Sequence, residues 1–112
     1  MARTLPNDAD GDALRRLAED GSDLTKPMVI DFAVAVPDES AGRRIAAAAV
    51  KVGFSAGIDQ DGESGEWTCY CTRTMVPEYE EIIRQQELLD RIGQPHGGYC
   101  DGWGSFGNAP ES

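Results

Sequence analysis

The sequence predicts an α+β fold, with a short leading helix followed by strands and helices in the order β-α-β-β-α-β. Three observations carry that prediction. The run Met28 to Val36 is apolar, rich in β-branched residues and bounded by Pro27 and Pro37, the composition of a central strand. Two later stretches, Asp38 to Val52 and Pro77 to Ile92, place apolar residues at helical spacing, and each is closed by a glycine, Gly53 or Gly93. Between them the polar loop Asp59 to Gly65 separates two strand-like runs, as a hairpin requires. That order is the ferredoxin-like split βαβ pattern, in which two helices cover one face of a four-stranded antiparallel sheet.

Along the chain, Met1 to Pro6 reads as a loose leader. Asn7 or Asp8 can cap a helix with Ala13, Leu14, Leu17 and Ala18 at helical spacing and Gly21 as its left-handed stop. Its apolar stripe is thin, so this helix must lean on another element to persist. Ser22 to Pro27 is a turn-rich link into the first strand, where Met28, Ile30, Phe32, Val34 and Val36 share one face. Asp38 or Ser40 opens the next helix, with Ala41, Ile45, Ala48, Ala49 and Val52 on one side and Arg43, Arg44 and Lys51 on the other. Phe54 to Ile58 is the second strand. The third, Trp67 to Thr74, places Trp67, Cys69 and Cys71 on one face and Thr68, Tyr70, Thr72 and Thr74 on the other. Pro77 suits the first turn of a long helix striped by Tyr79, Ile82, Ile83, Leu89 and Ile92, and Glu78, Glu80 and Glu81 favour the dipole at its start. The last strand follows Gln94-Pro95-His96-Gly97. The reading is one domain over residues 1–112, folded over 7–107, with 108–112 as a loose tail.

Composition narrows the functions. The 112 residues are 40% hydrophobic and 27% charged, an ordinary globular balance, but the net charge of −10 is strongly acidic for the length. Such a field repels phosphate backbones and anionic membranes, so no direct nucleic-acid or membrane binding is expected and a basic protein is the natural partner. No apolar run approaches the ~20 residues of a membrane span, and Met1 to Asp12 lacks the regions of a signal peptide, so the chain reads as cytoplasmic. Cys69 and Cys71 stand too close along one strand for an ordinary disulfide, which leaves reduced, buried thiols.

The least generic stretch is Tyr99-Cys100-Asp101-Gly102-Trp103-Gly104-Ser105-Phe106. Glycine is costly to order, so glycines around large aromatics imply something held in a specific way. Strand alternation would place Tyr99, Asp101 and Trp103 on one face and leave the other nearly bare. Trp103 then either anchors the last strand on the core or belongs to a partner-recognising surface, with Tyr99, Asp101, Trp103, Phe106 and Tyr70 as the candidate binding residues.

Reactive constellations are weak. The single histidine, His96, stands four residues from Cys100, yet nothing marks that cysteine as an activated thiolate. Cys69, Cys71, His96 and Cys100 are metal-ligand types, but the fold puts the first strand between their two strands, so neither a metal nor a cofactor is expected. Asp59, Asp61 and Glu63 lack the full Ca²⁺-loop series, and the glycine pairs near the C-terminus do not open a helix as a phosphate cradle must. Aromatics on a sheet suggest RNA recognition, but the basic interleaving is missing.

The run Asp101-Gly102-Trp103-Gly104, with an aromatic just before and after it, resembles the C-terminal signature of the RraB family, protein regulators of ribonuclease E. Glu19-Asp20-Gly21-Ser22-Asp23, followed by the apolar run from Met28, is similar to that family's opening. Ala47-Ala48-Ala49-Val50-Lys51-Val52-Gly53-Phe54 is similar to its first crossover helix and turn, so the likeness spans about residues 8 to 107. It implies the same ferredoxin-like fold. It also implies a non-catalytic protein that associates with ribonuclease E, or another RNA-processing protein, outside the nuclease centre and lowers or redirects RNA turnover. Family members often continue into a long acidic tail, whereas this sequence closes at Asn108-Ala109-Pro110-Glu111-Ser112, a departure that bears on the tail's share of binding. The alternatives are a small-molecule or catalytic domain using the Tyr99/Asp101/Trp103 face, and a domain that self-associates through its sheet.

Overall fold

The computed structural model describes residues 8–109; the leader, Asn7 and residues 110–112 lie outside them. Its elements are α1 (Ala9–Glu19), β1 (Met28–Val36), α2 (Glu39–Lys51), β2 (Ser55–Gln60), β3 (Trp67–Met75), α3 (Tyr79–Gly93), a 3-10 turn (Gln94–His96) and β4 (Tyr99–Gly104). The strands form one sheet in the order β2-β3-β1-β4, with every neighbouring pair antiparallel. This is the ferredoxin-like arrangement the element order predicts, with α1 added in front.

The local chemistry explains the boundaries. Asp8 and Asp38 cap α1 and α2, accepting from the N–H of Gly11 and of Ala41, each at 2.8 Å. Gly21 and Gly53 follow those helices with φ of +98° and +101°, a conformation that only glycine adopts without strain. Pro77 falls two residues before α3 and not inside its first turn, and Glu78 occupies the cap position without a side-chain cap bond.

Strand β1 is the spine. Ile30, Phe32 and Val34 are fully buried, and they pack with Ile45 and Ala49 of α2, Cys69 and Cys71 of β3, and Ile82 and Leu89 of α3. The buried set on α2 is Ala41, Gly42, Ile45 and Ala49, while Val52 is exposed. Close approach at the centre depends on Gly98, where a Cβ would stand 2.8 Å from Ile45 Cδ1. Helix α1 buries Leu14 and lies beside α3, where the Gln86 amide donates to Asp10 at 3.0 Å and the Tyr79 hydroxyl donates to Asp8. The leading helix thus joins the helical layer, and among the described residues no element covers the other sheet face.

Asn108, read from sequence as the start of a loose tail, is held in place. Its side chain accepts from Asp23 N–H at 2.7 Å and donates to the Asp23 carbonyl at 2.9 Å, and its own N–H donates to Ser22 Oγ at 3.2 Å. An amide offering both donor and acceptor can stitch a loop in this way, and that pairing is invisible until the two loops are adjacent.

Candidate functional site

The C-terminal signature forms β4, but not as simple alternation predicts. Val34 pairs with Cys100 and Ala33 with Gly102, which leaves Asp101 as an extra residue in a bulge, beside Gly102 at φ +136°. The inserted residue reverses the facing of everything after it. Tyr99 lies opposite Ala35 on the open face, whereas Trp103 lies opposite the buried Phe32 on the helix side. The expectation that Tyr99, Asp101 and Trp103 share one face is therefore corrected. Glycine at 102 permits the backbone that turns the tryptophan inward.

Trp103 is consequently a fold anchor. Its indole N–H donates to Asp10 Oδ1 at 2.7 Å, and the same oxygen accepts from Gln86 at 3.0 Å, so one carboxylate joins β4, α1 and α3. A partner cannot use that N–H without breaking this junction. Phe106 is placed differently: it is fully solvent-exposed on a backbone fixed at both sides. Ser105 Oγ donates to the Val29 carbonyl at 2.6 Å and accepts from Gly107 N–H at 3.0 Å.

The open face carries Val29, Asp31, Ala33 and Ala35 from β1 and Thr68, Tyr70, Thr72 and Thr74 from β3. Ser55, Gly57 and Asp59 from β2 and Tyr99, Gly102 and Gly104 from β4 complete it. One row across the sheet reads Gly57, Tyr70, Ala33, Gly102, and the next reads Asp59, Thr68, Ala35, Tyr99. Tyr70 and Tyr99, 44% and 57% exposed, thus stand on either side of a floor of small residues. Asp31 accepts from Thr72 at 2.6 Å at the other end of that floor.

Where the β2–β3 loop, the end of β1 and the start of β4 meet, a cleft of about 430 Å³ opens, with Glu66, Trp67, Thr68, Tyr99 and Asp101 in its walls. Among the described residues no lysine or arginine lines it. The described basic residues lie elsewhere: Arg15 and Arg16 on α1, Arg43, Arg44 and Lys51 on α2, Arg84 and Arg91 on α3, and Lys26 before β1 at the far end of the sheet. Arg73 belongs to β3 but registers with the buried Ile30 and faces the helices. It stacks 4.4 Å from the Phe54 ring and donates to Gln85 at 2.8 Å and to the Val52 carbonyl at 2.5 Å. Sequence reasoning missed this role for Arg73 and for Gln85, a buried glutamine that breaks the apolar stripe of α3. A polar residue at a stripe position is the available signal.

The residues weighed for catalysis and metal binding are dispersed. Cys69 and Cys71 are fully buried with their sulfurs 3.8 Å apart. Contact with Cys69 and then burial push the Cys71 thiol up, and burial pushes up Cys100. His96 lines a separate shallow hollow with Asp38, Ser40 and Arg44, and no hydrogen bond joins it to Cys100 among the described residues. Asp61 closes the β2–β3 turn, accepting from Ser64 Oγ at 2.8 Å and Glu63 N–H at 3.3 Å; the Ser64 bond, first, holds its carboxyl below the usual range. Among the described residues no three His, Cys, Asp or Glu side chains converge as metal ligands, and no helix is long and apolar enough to cross a membrane.

These features define a ferredoxin-like α+β domain with one helix-covered face and one open, acidic, tyrosine-bearing face. The sequence profile of the RraB family, described as regulator of ribonuclease activity B, matches residues 7–105, and the chain belongs to that family. A search of curated proteins returned no match.

Proposed function

We propose that this protein regulates ribonuclease E in the cytoplasm by binding the enzyme outside its nuclease centre, with no catalysis of its own and no cofactor. Membership of a family of ribonuclease-activity regulators over residues 7–105 carries the reading. The distribution of charge supports it. A net charge of −10, with the described cations kept off the open face, suits a basic protein surface and opposes direct RNA binding. The contact set is Tyr70, Tyr99, Asp101 and Phe106. Trp103, the fifth residue expected there, supports this surface from beneath.

The alternative built on a Tyr99/Asp101/Trp103 ligand face loses its premise, because the bulge separates the tryptophan from the other two. The test is co-purification of ribonuclease E with tagged protein from lysate treated with an RNA-degrading nuclease. Retention after that treatment is expected. Loss of the enzyme together with the RNA, or recovery of only a second copy of the chain, would contradict the proposal.

A further inference from the structure

We infer that the open sheet face binds an extended, arginine-bearing protein segment and that the cleft at the end of β1 takes a guanidinium. The inference deepens the preceding reading and rests on it for the protein nature of the partner. Ala33, Ala35 and Gly102 give the face a low floor, and Tyr70 and Tyr99 rise beside it. An extended segment lying there would direct alternate side chains to the sheet. At one end the cleft is lined by Tyr99 of the open face, by the acidic Glu66 and Asp101, and by Trp67, which registers with the buried Val36 and packs against the core. An aromatic face and carboxylates together suit a planar, weakly hydrated cation that stacks and forks hydrogen bonds, which favours arginine over lysine. Among the described residues nothing positive in the walls competes with that cation.

The bulge gives the site its specificity. It leaves Asp101 as the unpaired residue at the rim while keeping Tyr99 on the open face and Trp103 beneath it. A regular strand would have moved the tryptophan outward and removed the sheet's anchor to α1.

The probe is a fluorescein-labelled peptide of alternating arginine and glycine, read by anisotropy against its lysine counterpart and a single-stranded RNA of equal length. The arginine peptide is expected to bind most tightly, the lysine peptide more weakly and the RNA not at all. Tyr99→Ala and Asp101→Asn should each weaken the arginine peptide by about tenfold. Glu80→Gln, an exposed carboxylate on α3, should leave it unchanged. Equal weakening by Glu80→Gln would mean diffuse charge attraction and overturn the site, as would absence of peptide binding or preference for RNA. If the peptide binds as expected but ribonuclease E does not co-purify, the site stands and the choice of enzyme fails. Capture of ribonuclease E without peptide binding removes the site alone.

Discussion

Trp103 and Asp10 show how much one residue pair can decide. The indole N–H fixes the partly buried end of β4 to α1, so Trp103→Ala removes both apolar area and a bond and should cost roughly 3 kcal/mol, enough to threaten a domain of this size. Asp10→Ala leaves the Trp103 and Gln86 donors without their acceptor and should cost about 1–3 kcal/mol. By contrast Asp101→Asn, on the exposed bulge, should leave stability nearly unchanged, and urea denaturation of the three variants would separate these effects. The identities of Trp103 and Asp101 as special were legible in the sequence; their facing was not. A period-2 reading assumes an unbroken strand, and a single extra residue defeats it for everything downstream. Asp10 gave no signal at all, because its partners are 93 and 76 positions away.

At the scale of elements, most of the architecture was readable because its signals are local: caps at Asp8 and Asp38, glycine stops at Gly21 and Gly53, and the proline-bounded run of β1. The contacts that lock elements together were not. Gly98→Ala tests one of them, since its Cβ would press on Ile45 Cδ1 at 2.8 Å and the Ala35 carbonyl at 3.1 Å, a crowding worth about 1–3 kcal/mol that a thermal melt would show. The α1–α3 seam offers a pH test. The bond from the Tyr79 hydroxyl, first, and then the Gly11 N–H hold the Asp8 carboxyl below the ordinary value of 3.8, while Asp8 pushes Tyr79 up to about 12. A depressed carboxylate stabilises the fold above its unfolded pKa and loses that contribution as pH falls through the folded one. A raised phenol contributes fully below its ordinary value of 10 and fades as pH rises towards about 12. Ultraviolet titration should therefore find one tyrosine ionising late, and Asp8→Asn should return it towards the ordinary range. An ordinary titration of Tyr79 in the native protein would show that the seam is open.

For the whole molecule, the sheet separates a helix-covered face from an open one. Most of the described cations lie on the helices, which cover the core, and Arg73 of β3 turns toward them, while the other face keeps Asp31, Asp59, the two tyrosines and an open surface. Exposed Phe106, flanked by bonds at Ser105 and Gly107, belongs to the proposed contact set, and on that proposal Phe106→Ala should weaken partner binding at least several-fold without shifting the melt. The net charge was visible in composition alone, but which residues share the open face depends on sheet register and on the bulge. Titration of this protein into ribonuclease E cleaving a single-stranded RNA is the most direct measurement. The account predicts a dose-dependent fall or redirection of cleavage, weakened by Tyr99→Ala and Asp101→Asn and by raised salt as screening shortens below ~10 Å. Cleavage that is unchanged at saturating protein, or changed equally by wild type and both variants at every salt concentration, would contradict it.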